Sequence, residues 1–120
     1  MNGHVDESGR ALLSIPIANA RESSHVQVLA WIDTAFDGHL VLPLRMIAEL
    51  QLESLAQTEG ILADGSRVTL ETYFCYVEWF GERVPLQVIA NDGRFPLLGT
   101  EMLHNRVLHI DYQRRVLSLT

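Results

Sequence analysis

The sequence contains no lysine: all nine of its basic residues are arginines, and they are scattered rather than clustered. Schiff-base catalysis and the P-loop both need a lysine, so both kinds of chemistry are excluded. Nucleic acids and anionic membranes need a positive patch, and a chain of net charge −6 with dispersed arginines offers none. We therefore expect neither a nucleic acid nor a membrane as a partner.

Cysteine and long apolar runs are also scarce. The single cysteine, Cys75, excludes an intrachain disulfide and a multi-cysteine zinc site, and its apolar neighbours favour an inert buried thiol. No apolar run approaches the roughly 18 residues that cross a bilayer. Residues 1–10 are too polar and acidic for a signal peptide. A cytoplasmic protein is the expectation.

Histidine is more abundant but does not form a metal motif. None of the five histidines has a partner at the i, i+4 spacing of a helical zinc site. They are His4, His25, His39, His104 and His109. The sequence therefore predicts no metal site.

The 120 residues are expected to form one domain, residues 1–120, in which residues 1–10 are a loose N-terminal arm. Apolar residues recur at strand spacing over most of the chain, and turn residues separate roughly eight or nine short strands. Pro43 and the apolar residues after it predict a helix over residues 43–50. This pattern is typical of a closed or sandwich-like antiparallel β domain with one or two short helices.

The stretch from residue 31 to residue 43 carries the most chemical information. The apolar run at residues 26–32 predicts a central strand that is buried on nearly both faces, and Asp33 follows at its end. An acid on a turn after a buried strand is held rigidly yet is reachable by a ligand. The alternative is that Asp33 and Asp37 only form turns, since Asp and Gly favour turns.

Three landmarks in order resemble the retropepsin-like aspartic proteases, in particular the small prokaryotic single-lobe members. They are Asp33-Thr34-Ala35-Phe36-Asp37-Gly38-His39-Leu40-Val41-Leu42-Pro43, the hairpin signal Asp64-Gly65, and Leu97-Leu98-Gly99. A late Ile110-Asp111-Tyr112 also matches, and the likeness spans about residues 13–119. The resemblance implies a mostly β fold: a closed antiparallel β-barrel of the retropepsin-like acid protease type, with one or two short helices.

The resemblance also implies roles for individual residues. Asp33 is the expected catalytic acid, Thr34 is expected to hydrogen-bond across a dimer axis, and Ala35 completes the catalytic triplet. Residues 58–70 form the expected flap over the substrate. The expected flap and substrate-binding residues are Asp37, Ile61, Ala63, Asp64, Gly65 and Leu98. The expected apolar subsites are formed by Trp31, Ile61, Ile89 and Leu98. The expected structural residues of the loop beneath the catalytic turn are Leu97 and Gly99.

Only one such triplet occurs in the chain, so the resemblance implies a homodimer with one Asp33 from each copy. Two carboxylates in contact at ~3 Å cannot both ionise, so they share one proton and act as acid and base at the same pH. Aspartic proteases are the standard example of that behaviour. The implied substrate is a peptide or an unfolded protein, and no cofactor is implied.

Two positions depart from the family pattern. Ala35 stands where the family has glycine, and Thr100 follows Gly99 where retroviral members have arginine. Asp37 thereby loses that arginine as a partner, and Arg10, Arg106 or an arginine of a second copy could replace it. The alternative function is a catalytically weak or inactive pseudo-protease that acts as a dimeric peptide-binding or protein-binding β module. A third hypothesis is a stand-alone β-barrel partner of another protein.

Overall fold

The computed structural model describes residues 1–61 and 63–120. The elements of these residues, in chain order, are β1 (Asn2–Val5), β2 (Ala11–Ala18), β3 (Val26–Ile32), β4 (Leu40–Pro43), α1 (Leu44–Leu50), β5 (Glu53–Ile61), β6 (Arg67–Trp79), β7 (Glu82–Asn91), β8 (Leu97–Leu98), a 3-10 helix (Thr100–Leu103), β9 (Leu108–Asp111) and β10 (Val116–Leu119). In this described part of the chain, no helix has the length and apolar character needed to cross a membrane.

All ten strands belong to one sheet, in the order β5-β6-β7-β4-β8-β3-β2-β1-β10-β9, with a further pairing of β6 with β2. The predicted mostly β architecture is confirmed. The prediction that the sheet is purely antiparallel is wrong, because β3 pairs with β8 and β4 pairs with β7 in parallel. Parallel partners need a long crossover rather than a hairpin, and both pairs are far apart in sequence. Closure of the sheet into a barrel stays a prediction.

The N-terminal residues are part of this sheet, and the predicted loose arm at residues 1–10 is wrong. Strand β1 lies between β10 and β2, where His4 pairs with Val116 and Val5 pairs with Ala11. Val5 is buried in the core. The sequence of β1 has no apolar alternation that would predict a strand. The strand forms all the same, because pairing needs only the backbone N–H and C=O groups.

Strand β3 leads into the candidate site, and it buries one face rather than both as predicted. Val28, Ala30 and Ile32 point into the core, whereas Leu29 and Trp31 are exposed on the other face. This alternation has the period of two that a strand imposes on its side chains. The exposed face of β3 therefore carries apolar side chains up to the point where Asp33 begins.

The predicted helix is confirmed with a shift of one residue at its start. Pro43 ends β4 and is the N-cap, and α1 begins at Leu44. Gln51 closes the helix in the left-handed conformation, and its backbone N–H donates to the carbonyl oxygen of Ala48.

The connection between β5 and β6 is longer than the predicted two-residue turn at Asp64-Gly65. Among the described residues, Ile61 pairs with Arg67, a register that does not fit a two-residue turn at residues 64 and 65. Gly65 is in the left-handed region at φ 84°, a conformation that glycine adopts without steric cost. The predicted flap, residues 58–70, includes Leu62, which lies outside the described residues.

The core is built mainly from the inward faces of β2, β3, β4, β6 and β7. Its largest fully buried side chains are Leu13, Ile15, Ile17, Leu40, Leu42, Leu98, Leu119, Val77, Val88, Pro43, Pro96 and Cys75. Strand β2 contributes three of them at alternate positions, and this packing fixes the strand that pairs with β3 beside the candidate site.

Candidate active site

Asp33 is the first residue after β3, and β8 fixes its backbone. The backbone N–H of Asp33 donates to the carbonyl oxygen of Leu98 at 2.9 Å, and that of Trp31 donates to Pro96 at 2.8 Å. These two bonds continue the parallel pairing of β3 with β8. The carboxyl-bearing turn is therefore attached to the sheet rather than to a free loop.

The Asp33 carboxylate is half-buried and helps to shape its own turn. Its Oδ1 atom accepts a hydrogen bond from the backbone N–H of Ala35 at 3.0 Å. The backbone carbonyl of Asp33 accepts from the N–H of Phe36 at 3.2 Å. This arrangement is an Asx turn, in which the side chain replaces a backbone acceptor. It orients the carboxylate while leaving it accessible.

The backbone conformation at Ala35 does not require glycine. The described non-glycine residues with positive φ are Gln51, Phe80, Asn105 and Arg115, so Ala35 is not in the left-handed region. Both Thr34 and Ala35 are exposed. Alanine in place of the family's glycine therefore introduces no strained backbone.

A cavity of about 380 Å³ lies beside the Asp33 turn. Its lining residues are Trp31, Ile32, Asp33, Thr34, Ala35 and Leu97. The structure thus places all three residues of the predicted catalytic triplet in one cleft, together with Trp31 from the predicted apolar subsites. The cleft combines one carboxylate with apolar walls, which is the usual composition of a site for a small ligand or peptide side chain.

The structure places Leu97 and Leu98 in different surroundings. Leu98 is fully buried in the core, whereas Leu97 lines the cleft, and their contacts with a substrate stay predictions. In the parallel pairing, Leu97 lies opposite Trp31 and Leu98 lies opposite Ile32. Neighbouring residues of a strand point to opposite faces, and here Leu97 lies at the cleft while Leu98 packs in the core.

Gly99 packs against the turn that follows Asp33. Its backbone N–H donates to the carbonyl oxygen of His39 at 2.9 Å, and the N–H of Thr100 donates to Phe36 at 2.8 Å. The N–H of Glu101 donates to the carbonyl oxygen of Gly38 at 3.1 Å. Three successive N–H groups therefore hold residues 36–39 from below.

Asp37 is exposed and is not among the residues that line the cleft. Within the described residues, no ion pair involves Asp37, and two arginines considered as its partners are engaged elsewhere. Arg10 bonds Asp6 through Nε at 2.6 Å, and the guanidinium of Arg106 lies 3.6 Å from the ring centroid of Phe80. A partner for Asp37 from a second copy stays a prediction.

The predicted flap residues lie away from the cleft lining. Ile61, Ala63, Asp64 and Gly65 are all exposed, and none of them lines the 380 Å³ cavity. The Ser66 hydroxyl donates to Oδ1 of Asp64 at 2.6 Å, and this bond lowers the pKa of Asp64 below its ordinary value. The contact of these residues with a substrate stays a prediction.

Sequence reasoning missed the group that backs the cleft wall. Trp31 packs edge-on against Phe95, with ring centroids 6.2 Å apart, and the Arg10 guanidinium lies 4.0 Å from the Phe95 centroid. The cation–π contact and the Asp6 ion pair fix Arg10 beside the cleft. No sequence spacing signals this group, because Arg10 and Phe95 belong to distant segments. Of the described residues, no group of three or more histidine, cysteine, aspartate or glutamate side chains can hold a metal ion.

Comparison with known proteins assigns the fold. No family model matches the sequence, and no curated protein matches it. Solved structures do match. A retropepsin-like aspartic protease from Rickettsia conorii aligns with TM-score 0.70 and 16% identity over 99% of this chain and 88% of its own. The EIAV protease, solved with the inhibitor HBY-793, aligns with TM-score 0.59 and 18% identity over 83% of this chain and 90% of its own. The retroviral protease-like domain of Ddi1 from Leishmania major aligns with TM-score 0.51 and 16% identity over 90% of this chain and 87% of its own. The chain therefore has the retropepsin-like fold.

Proposed function

We propose that the chain is an aspartic-type endopeptidase that hydrolyses peptide bonds as a homodimer, with one Asp33 from each copy forming the catalytic pair. The observation that carries the proposal is the position of Asp33. Asp33 directly follows strand β3, forms hydrogen bonds with the backbones of Leu98 and Ala35, and lines an apolar cleft. The retropepsin-like fold supports the same function.

The chemistry needs one base and one acid. One Asp33 carboxylate takes a proton from water, and the water oxygen attacks the carbonyl carbon of the scissile peptide bond. The carboxylic acid of the other Asp33 gives its proton to the carbonyl oxygen. The tetrahedral diol then collapses: the second carboxylate takes back a hydroxyl proton as the C=O bond reforms, the C–N bond breaks, and the leaving nitrogen takes a proton from the first carboxyl group. The pair ends with one proton, as it began, and no metal or organic cofactor takes part.

The other residues of the site position the reactants. In this proposal, Thr34 keeps the two turns in register across the two-fold axis, and the exposed methyl of Ala35 forms part of the cleft floor. Trp31 and Leu97 supply apolar surface for a substrate side chain beside the scissile bond. Residues 58–70 close over an extended peptide or an unfolded protein segment.

The test is cleavage of an unfolded protein and of a peptide library between pH 4 and 7, with and without pepstatin. We expect Asp33→Asn to abolish cleavage and Asp37→Asn to retain it, because Asp37 lies outside the cleft lining. Asp37→Asn is the matched control, since it removes one carboxylate from the same turn. Equal cleavage by the wild type and Asp33→Asn would disprove the proposal.

A mixing experiment tests the requirement for two carboxylates. Adding excess Asp33→Asn protein to a fixed amount of wild type should lower the activity per wild-type chain, because mixed dimers carry one carboxylate. If the activity does not change while the chains exchange, a single Asp33 suffices and the proposed pair is wrong. Peptide binding without any turnover by the wild type would instead indicate a binding module.

A further inference from the structure

Asp6 closes the turn between β1 and β2, residues 6–10. Its backbone N–H donates to the carbonyl oxygen of Arg10 at 2.9 Å, and its carbonyl oxygen accepts from the N–H of Gly9 at 3.0 Å. The Oδ1 atom of Asp6 accepts from the backbone N–H groups of Ser8 at 3.0 Å and Arg10 at 2.9 Å. Backbone and side chain of one residue therefore fix the turn and the position of Arg10 at its end.

The same carboxylate also holds the Arg10 side chain. The Oδ2 atom of Asp6 accepts from Nε of Arg10 at 2.6 Å, and the two side chains are only 20% and 28% exposed. A short charge-assisted bond that is partly shielded from water restricts an arginine more than an exposed ion pair does. The hydrogen bonds from Arg10, above all the one from its backbone N–H, lower the pKa of Asp6 below its ordinary value of 3.8. The carboxylate is therefore largely ionised over the pH range of the cleavage assay.

Arg10 lies over the aromatic ring that supports the cleft wall. Its Cζ atom is 4.0 Å from the centroid of the Phe95 ring and 5.9 Å from that of the Trp31 ring. Phe95 and Trp31 pack edge to face, with an angle of 79° between the ring planes. Cation–π and edge-to-face contacts both attract at these distances. Because Trp31 lines the cleft beside Asp33, this row of contacts runs from the 6–10 turn to the cleft.

The backbone that carries the two aromatic residues is fixed without Arg10. Nη2 of Arg45 donates to the carbonyl oxygen of Arg94 at 3.0 Å. On the other side, the N–H of Trp31 donates to the carbonyl oxygen of Pro96 at 2.8 Å. The Arg10 contact therefore acts on two ring side chains rather than on the strands, and its loss should leave the sheet in place.

We propose that Asp6 is a positioning residue of the candidate active site, which fixes the Trp31 ring as a wall for an apolar substrate side chain. It acts through Arg10 and Phe95 and is not among the residues that line the cleft. A ring that is held in one orientation has less entropy to lose when a substrate binds, so the arrangement favours binding rather than the chemical step. The effect on a substrate rests on the proposed function, whereas the orientation of Trp31 can be measured without cleavage.

The proposal also implies a substrate class. Trp31 lies opposite Leu97 in the pairing of β3 with β8, and both side chains line the cleft. A large apolar side chain covers more of this wall than alanine does, so it gains more from the burial of apolar surface. Peptides with a large apolar residue beside the scissile bond should therefore depend on Asp6 more than peptides with alanine there.

The orientation of Trp31 is tested by 19F NMR of the whole chain labelled with fluorotryptophan. The chain has two tryptophans, Trp31 and Trp79, and Trp31→Phe assigns their resonances. Asp6→Asn keeps an Oδ1 acceptor for the turn but replaces Oδ2, the acceptor of the Arg10 Nε bond, with a donor. We expect this variant to shift or broaden the Trp31 resonance and to leave that of the buried Trp79 unchanged. An unchanged Trp31 resonance would overturn the proposal.

Asp111→Asn is the matched control. Asp111 also accepts a backbone bond from Arg114, at 2.9 Å, and its Oδ2 lies 3.9 Å from Nε of that arginine. The control thus removes the same charge from the same kind of turn, in the β9–β10 hairpin, and both tryptophan resonances should stay. If Asp111→Asn moves the Trp31 resonance as much as Asp6→Asn does, the effect is one of net charge and the proposal is wrong.

Arg10→Met shows whether Asp6 acts through Arg10. Glu7 lines the same 470 Å³ cavity as Arg10 and Asp6, and the loss of the whole guanidinium prevents Glu7 from replacing Asp6 as its partner. We expect Arg10→Met to move the Trp31 resonance at least as far as Asp6→Asn. If only Arg10→Met moves it, Arg10 holds the wall unaided and the role of Asp6 is wrong.

Kinetics on the peptide that the wild type cleaves best measure the effect on binding. We expect Asp6→Asn to raise KM about threefold or more and Arg10→Met about tenfold, with kcat within about twofold of the wild type. The KM ratio between this peptide and its forms with alanine beside the scissile bond should become smaller in both variants. A fall in kcat at constant KM would place the effect on the Asp33 turn and would contradict the proposal.

The outcomes separate this role from the proposed function. If the wild type never cleaves while the Trp31 resonance responds as expected, the peptidase fails and the positioning of the wall stands. If the wild type cleaves but neither the resonance nor KM responds to Asp6→Asn, the positioning role is wrong and the peptidase stands. A response of the resonance without any change in KM would show that the wall does not bind the substrate.

Discussion

Gly99 lies so close to Gly38 that a methyl group on Gly99 would overlap the Gly38 carbonyl oxygen. The same methyl group would stand 2.6 Å from Cδ2 of the Phe36 ring. Both contacts belong to the turn that follows Asp33, so this pair of glycines sets the distance between the turn and its support. Glycine is needed here for close approach rather than for an unusual φ.

We predict that Gly99→Ala lowers the free energy of unfolding by about 1–3 kcal/mol, because backbone must move to admit the methyl group. Urea denaturation measures this loss. Gly93→Ala is the control, since a methyl group there would meet only the Asn91 side chain, at 3.1 Å or more. If both variants are equally stable, the packing beneath the turn is looser than the structure shows.

Ala35→Gly is predicted to destabilise the protein slightly. Ala35 is outside the left-handed region, so glycine relieves no strain and only adds freedom to the unfolded chain. The expected loss is about 0.4–1 kcal/mol. Thermal unfolding of the wild type and Ala35→Gly at equal protein concentration shows whether the substitution lowers or raises the stability. A gain in stability would mean that the methyl group crowds the turn. Cleavage should persist in both forms, because Ala35 donates to Asp33 through its backbone N–H, which glycine keeps.

The sequence predicts the supported turn at Asp33 because that turn depends on local features. An apolar run that ends at Asp33 predicts an acid on a supported turn, and Pro43 marks the start of α1. In the structure, the residues of the Asp33 triplet and Trp31 line one cleft, and their roles in catalysis and binding stay predictions.

Other features depend on contacts between distant segments, and the sequence carries no signal for them. A strand of two residues has no readable period, so the cleft-facing leucine of β8 could not be chosen between Leu97 and Leu98. Strand β1 is polar, and its pairing with β10 is a property of the backbone. The contact of Arg10 with Phe95 likewise exists only in the folded sheet.

Arg83 joins the β2–β3 connection to the β6–β7 hairpin. Its Nε donates to Glu78 at 2.6 Å, and its Nη1 donates to the carbonyl oxygens of Arg21 at 2.6 Å and Ser23 at 2.8 Å. The side chain is only 22% exposed. Lysine has no planar fork and cannot make these bonds together. We predict that Arg83→Lys costs about 1–3 kcal/mol in the free energy of unfolding, from the loss of charge-assisted hydrogen bonds.

Arg67→Lys is the matched control for Arg83→Lys. Arg67 lies 3.7 Å from Glu59, and its side chain is 76% exposed. Exposed ion pairs of this kind contribute at most about 1 kcal/mol to the free energy of unfolding. Urea denaturation should therefore separate the two variants, and an equal effect would show that the Arg83 contacts do not persist in solution.

Cys75 provides a prediction for alkaline pH. Burial raises the pKa of the Cys75 thiol to about 12, from an ordinary value of 9.0. Between about pH 9 and pH 12, the Cys75 thiol therefore keeps its proton in the folded protein but loses it in the unfolded chain. The stability that the buried neutral thiol contributes is present in full below about pH 9 and is lost as the pH rises toward 12. The free energy of unfolding should fall over this range in the wild type, and less steeply in Cys75→Ala, which has no thiol to titrate.

In the native state at pH 8, a thiol reagent should modify Cys75 only at the rate of unfolding, since the buried group is neither exposed nor ionised. Rapid modification without unfolding would show that the thiol is reachable in the folded protein and would remove the basis for the pH dependence.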